Sequence, residues 1–156
     1  MAISRRKAKG RRPSGTFAVL PHAVMDSEDF LSLSGSAVKV LLGLLRQYNG
    51  RNNGDLSAPY RLAKTWGIGS KTTLGKALDE LLERELVVKT REGRFIKPGG
   101  CCALYAVTWQ PLDECEGKLE MLATTTAPRR FSSGLAKNPV QKVYRQGTES
   151  VPMGGP

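Results

Sequence analysis

Residues 57–91 read SAPYRLAKTWGIGSKTTLGKALDELLERELVVKTR, and the succession of helix, break, helix and strand in this stretch decides the architecture. Ser57 followed by Pro59 has the form of an N-cap with proline in the first helical turn. It predicts a helix over 58–66 that carries Leu62, Ala63 and Trp66. Gly67-Ile68-Gly69 breaks that helix, because glycine enters the left-handed backbone at which helices end. Ser70 then caps a further helix over 71–84. Its Leu74, Leu78, Leu81 and Leu82 keep the i, i+4, i+7, i+8 spacing of a buried face, and Lys71, Thr72, Lys76, Asp79, Glu80 and Glu83 fall elsewhere. From Leu86 to Arg91 the chain turns β-branched and predicts a strand.

Working outward, Ser34 and Ser36 precede a run rich in Val and Leu that ends at Tyr48, which predicts a central core helix with positions 38, 41, 45 and 48 as its buried stripe. Asn49 to Gly54 stops it with residues suited to turns, and Asp55 to Ser57 is long enough only for a short strand. Further upstream, Phe17 to Leu20 is a short apolar run closed by Pro21, and the acidic group around Asp26 predicts a short helix over 26–32. Downstream, Ala103 to Trp109 predicts a second strand, with Leu104, Ala106 and Thr108 facing opposite to its other members. Between the strands, Glu92-Gly93-Arg94 and Lys97-Pro98-Gly99-Gly100 make a long antiparallel hairpin the economical connection. Trp66 and Trp109 fall on buried periods and read as core anchors, not as platforms for stacking bases.

This body sits between two cationic arms. The chain of 156 residues carries a formal charge of +10, from 24 Lys and Arg against 14 Asp and Glu. Residues 1–15 include Arg5, Arg6, Arg11 and Arg12 with no acid, and residues 123–156 hold Glu149 as their one acid. The middle is therefore neutral. With few apolar residues and no period, 1–15 is expected to be a disordered basic arm and 123–156 a flexible basic tail around a single domain at 16–122. No run approaches the roughly 18 apolar residues of a membrane span, and the N-terminus lacks the apolar stretch of a secretory signal. A soluble protein in a reducing cytoplasm is the expectation, and three cysteines suit it.

The segment from Leu33 to Trp109 resembles a winged helix-turn-helix domain. The resemblance rests on Ala63 in the second helix, Gly67 and Ile68 in the turn, the amphipathic third helix with Leu74 and Leu78, and the wing from Glu92 to Cys101; Gly69-Ser70 lengthens the turn relative to the family's pattern. It covers about half the chain and is similar to the core of winged-helix regulators and plasmid or phage replication initiators. It implies an α+β fold, a three-helix core plus a β-hairpin wing, in a small bacterial or mobile-element protein. It also implies binding of double-stranded DNA near the nucleoid, for transcriptional regulation or DNA replication. In such a fold the third helix enters the major groove, which points to Ser70, Lys71, Thr72, Thr73 and Lys76; a wing would bring Arg91, Arg94 and Lys97 to the minor groove or to phosphates. The basic arm with Arg5, Arg6, Arg11 and Arg12 would add affinity whatever the base sequence.

Other chemistries find less support. Gly67 to Thr72 lacks the G-x-x-x-x-G-K-[ST] spacing of a phosphate-binding loop. Cys101, Cys102 and Cys115 do not have zinc-site spacing, and His22 is the only histidine. No catalytic residue, metal or cofactor is expected, and Asp79-Glu80 reads as a pair of acids on an outer helical face. Two alternatives stay open: a protein-interaction module carried on nonspecific nucleic-acid arms, and RNA binding through the arms. Lysines on an outer helix face and arginines in a loop are also often only solvated. Monomer and dimer are both open, and the C-terminal tail is the place for a possible protein partner.

Overall fold

Capping decides where each helix begins. The computed structural model describes residues 15–129, which form five α-helices and a three-stranded antiparallel sheet, an α+β arrangement. Helices α1 (His22–Met25) and α2 (Glu28–Leu31) replace the single helix expected over 26–32. Pro21 stands at the N-cap of α1 and starts it early, and Asp26 becomes its C-cap. Ser27 starts α2 instead, its Oγ accepting from the Phe30 backbone N–H at 3.3 Å and donating to the Val24 carbonyl at 2.6 Å.

Helix α3 (Gly35–Gln47) is capped by Ser34 and occupies the centre of the core. Its buried face is Ala37, Val40, Leu41, Leu44 and Leu45, rotated from the expected 38, 41, 45 and 48; Val38 and Tyr48 are half-buried. The rotation follows from contact with a neighbouring tryptophan. A Cβ added at Gly43 would lie 2.3 Å from the Trp66 ring, so that indole packs directly on the α3 backbone. Trp66 and Trp109 both pack, half-buried, against the core.

Strand β1 (Leu56–Ser57) follows, and here Ser57 is not the expected helix cap. Its N–H donates to Gln47 Oε1 at 3.0 Å, so it is held in the sheet, and Pro59 takes the N-cap of α4 (Tyr60–Ala63) in extended backbone. A 3-10 turn over Lys64–Trp66 extends α4 and ends at Gly67, whose φ of +85° is the left-handed conformation expected there. Helix α5 (Lys71–Glu83) starts at Ser70 as expected: the Ser70 Oγ accepts from the Thr73 N–H at 3.1 Å. Leu74, Ala77 and Leu81 are its buried residues, with Leu78 and Leu82 half-buried.

Strands β2 (Val87–Arg91) and β3 (Leu104–Val107) form the hairpin, and the sheet order is β1-β3-β2. The alternation expected in β3 gives way to burial of all four residues. Helices cover one side, and the chain after β3 accounts for the other. A Cβ at Gly54 would lie 2.7 Å from Leu119 and 3.6 Å from Cys115, so the 112–120 segment packs down beside the sheet. The fully buried Asn53 extends the edge of β1 with its side chain: Oδ1 accepts from the Val107 N–H at 2.9 Å, and Nδ2 donates to the Val107, Gln110 and Pro111 carbonyls. An amide side chain thus does what a peptide group does in a ladder. The body continues past residue 122, since Thr124 N–H donates to the Leu112 carbonyl, and Arg129 bonds the Thr108 and Arg84 carbonyls and pairs with Asp29. The arm at 1–14 and the tail from 130 lie outside the described residues.

Candidate nucleic-acid interface

The turn between α4 and α5 sets the geometry of the surface. Tyr60 at the start of α4 donates its hydroxyl to the Gly69 carbonyl at 3.0 Å, tying the helix to the far side of the turn. Lys64 Nζ lies 5.8 Å and Lys71 Nζ 6.0 Å from the centre of the Tyr60 ring, where the aromatic face favours a cation. Lys39 reaches in from α3, its Nζ 3.3 Å from the point where a Cβ of Gly67 would stand. Three lysines from three helices therefore gather around one glycine turn.

The residues expected at the start of α5 divide by role. Ser70 and Thr73 are engaged in the cap, their hydroxyl oxygens 2.9 Å apart. Lys71, Thr72 and Lys76 are exposed, and Gly75 between them has nothing within 4 Å of an added Cβ. The result is a flat, open strip along the first two turns. Among the described residues Lys39, Lys64, Lys71 and Lys76 enter no ion pair. Of the acids of α5, Asp79 stands exposed three residues beyond Lys76, whereas Glu80 is drawn away from the strip. Glu80 is not on an idle outer face, as its position in the sequence implied: it accepts from the Ser34 N–H and Oγ, both at 2.7 Å, and so closes the N-terminus of α3.

The hairpin cations are less free. Arg91 donates to the Cys102 carbonyl through Nε at 3.3 Å and Nη2 at 2.9 Å, bracing the two arms of the hairpin. Arg94 pairs with Glu120 at 3.0 Å, and Glu120 also accepts from the Glu92 N–H. Lys97 stands exposed at the tip with no hydrogen-bond or ion-pair partner among the described residues. Arg5, Arg6, Arg11 and Arg12 lie outside the described residues. Lys39, Lys64, Tyr60 and Glu120 were not expected. Tyr60 and Lys64 stand four apart on one helix, a spacing visible in the sequence, but Lys39 and Glu120 join only through tertiary packing.

Burial shifts titratable groups in the body of the protein. Burial, aided by Glu92, Asp79 and Cys102, raises the Tyr105 phenol above its ordinary value. The Cys115 thiol is likewise raised by burial and by Asp55 and Asp113. Among the described residues no group of three or more His, Cys, Asp or Glu side chains could hold a metal ion, and no helix is long and apolar enough to cross a membrane. Comparison with known proteins gave no match to a family model, to a curated protein or to a solved structure.

Proposed function

We propose that residues 33–109 form a winged helix-turn-helix that binds double-stranded DNA and serves as a transcriptional regulator or replication factor without chemistry of its own. One observation carries the reading: lysines without an ion-pair partner among the described residues flank an open, glycine-flattened strip at the start of α5 that holds no acid from Lys71 to Leu78, and Glu80 beyond it is engaged at the N-terminus of α3. In this proposal Lys71, Thr72 and Lys76 face the major groove, where hydroxyls and amines meet base edges and phosphates. Lys39 and Lys64, gathered at the turn, meet the adjacent backbone. The hairpin is the wing, and the arms outside the described residues add affinity without sequence preference.

The test is titration of the full chain against duplexes enriched from a random pool, over a range of salt. Lys71→Ala with Lys76→Ala should weaken binding and lower the slope of log affinity against log salt by about two, roughly one per phosphate contact removed. Unchanged affinity and slope would leave a partner-docking module as the better account.

A further inference from the structure

The tip of the hairpin carries an apolar pair that the fold does not use. Phe95 is 110 % exposed and Ile96 57 %, adjacent to one another, at the far end of the β2–β3 connection. Other large apolar side chains are exposed as well, among them Phe17, Leu31 and Leu122, but Phe95 and Ile96 stand together at the tip of a closed loop. These two have no partner surface among the described residues.

Their setting is built, not slack. Just below them Arg94 and Cys101 pair in both directions, Arg94 N–H to the Cys101 carbonyl at 2.8 Å and Cys101 N–H to the Arg94 carbonyl at 3.0 Å. This clamps residues 95–100 into a closed loop. Inside it the backbone is tight, since a Cβ at Gly100 would lie 3.0 Å from the Arg94 carbonyl oxygen and 3.4 Å from that of Ile96. Gly99 takes φ +112°, a conformation other residues rarely adopt. The loop is thus narrow, and its protruding side chains are Phe95, Ile96 and Lys97.

Charge completes the description. From Gly93 to Leu112 the chain has no acidic residue; Lys97 stands beside the apolar pair, unpartnered among the described residues, and Arg94 on the pair's other side is paired with Glu120. The partner it fits is polyanionic outside and apolar within. Duplex DNA has this character: phosphates line a minor groove about 6 Å wide, and between base pairs lies stacked aromatic surface. A lipid surface shares the charge. Two side chains are too little apolar area for stable membrane anchoring, however, whereas one or two suffice to wedge open a base step.

We propose that Phe95 and Ile96 form a wedge that enters the minor groove and partly unstacks a base-pair step, bending the duplex, with Lys97 seated on a flanking phosphate. The proposal rests on the DNA-binding reading above and assigns the wing a role different from simple phosphate contact. It predicts preference for DNA that is easily unstacked, because the wedge must overcome stacking at the step it opens.

The test uses the full chain and a short mixed-sequence duplex labelled at both ends for energy transfer, alongside the same duplex with a central mismatch. Wild type should bend the DNA and bind the mismatched duplex about tenfold more tightly. The double substitution Phe95→Ala, Ile96→Ala should abolish the bend and the mismatch preference, keep its thermal unfolding midpoint, and remain sensitive to Lys71→Ala, Lys76→Ala. Phe95→Trp, which keeps an apolar plane, should retain the bend. Equal bending and equal mismatch preference in wild type and the double variant would overturn the wedge while leaving DNA binding intact. A wild-type chain that binds neither duplex would overturn both readings. Loss of binding to anionic phospholipid vesicles, or of self-association in sedimentation, with DNA behaviour unchanged, would reassign the tip to a membrane or to a second copy.

Discussion

Helices α3 and α5 each have 13 residues, each start at a serine cap, and each contain one interior glycine, yet the protein uses them in opposite ways. In α3 six residues are buried, and Gly43 exists so that the Trp66 ring can lie on the helix backbone. In α5 three are buried, and Gly75 faces open space. A glycine in a helix is the same local defect in both places, costing up to about 1 kcal/mol relative to alanine. What differs is what the missing side chain allows: a core contact in one helix, and in the other an unobstructed surface. The comparison teaches that a helix-weakening residue has to be interpreted from the side it faces.

The largest effect is expected where the buried side is most densely bonded. Asn53→Ala removes the amide that satisfies the Val107 N–H and three carbonyls, and should destabilise the protein by about 2–4 kcal/mol in denaturant unfolding. A loss within experimental error would mean that water replaces the amide there and that this edge is not sealed.

Next come the two glycines, which test the comparison directly. Gly43→Ala should cost about 1–3 kcal/mol, because the methyl group would collide with the Trp66 ring and the helix gain is smaller than the clash. Gly75→Ala should do the reverse, raising stability by up to about 1 kcal/mol, since nothing obstructs its methyl. If the open strip is the DNA-facing surface, the stabilised variant should also bind duplex less tightly. Thermal melts of both variants, with duplex titration of the second, read all of this out; a stabilised variant with unchanged affinity would separate the glycine's flatness from its function.

The smallest effect is a pH signature of the buried half. Tyr105 is held neutral by burial, so its phenol ionises in the folded protein only above the value near 10 that the unfolded chain retains. The folded state therefore binds more protons at alkaline pH, and the stability this phenol contributes is present below about pH 10 and lost as pH rises through the folded value. Melting midpoints between about pH 9 and pH 11 should fall less steeply for Tyr105→Phe than for wild type. Parallel curves would show that other groups set the alkaline limit.

Much of the architecture was legible because it depends on local rules. Ser70 as a cap, Gly67 as the left-handed stop, the span of α5 and the paired strands of the hairpin follow from cap chemistry, glycine conformation and residue periodicity. The misses share a cause. Ser57 has the side chain of a helix cap, but Gln47 competes for its N–H from ten residues away and keeps it in a strand. The face of α3 was displaced because the spacing of leucines does not reveal that a tryptophan will press on Gly43. The same holds at the site. Lys71, Thr72 and Lys76 stand out at a helix start, whereas Ser70 and Thr73 are absorbed by the cap and Arg94 by Glu120, a partner 26 residues away.

By itself, then, the sequence determined the α+β succession of elements, the position of the glycine turn and the concentration of exposed cations at the head of α5, since each rests on interactions within a few residues of chain. Tertiary structure alone decided which of those groups remain available. It spends Glu80 on the α3 terminus, ties Arg91 into the hairpin, brings Lys39 to the turn and leaves Phe95 and Ile96 uncovered. The physical reason is that hydrogen bonding and burial are settled between segments distant in sequence, where periodicity carries no information about the partner.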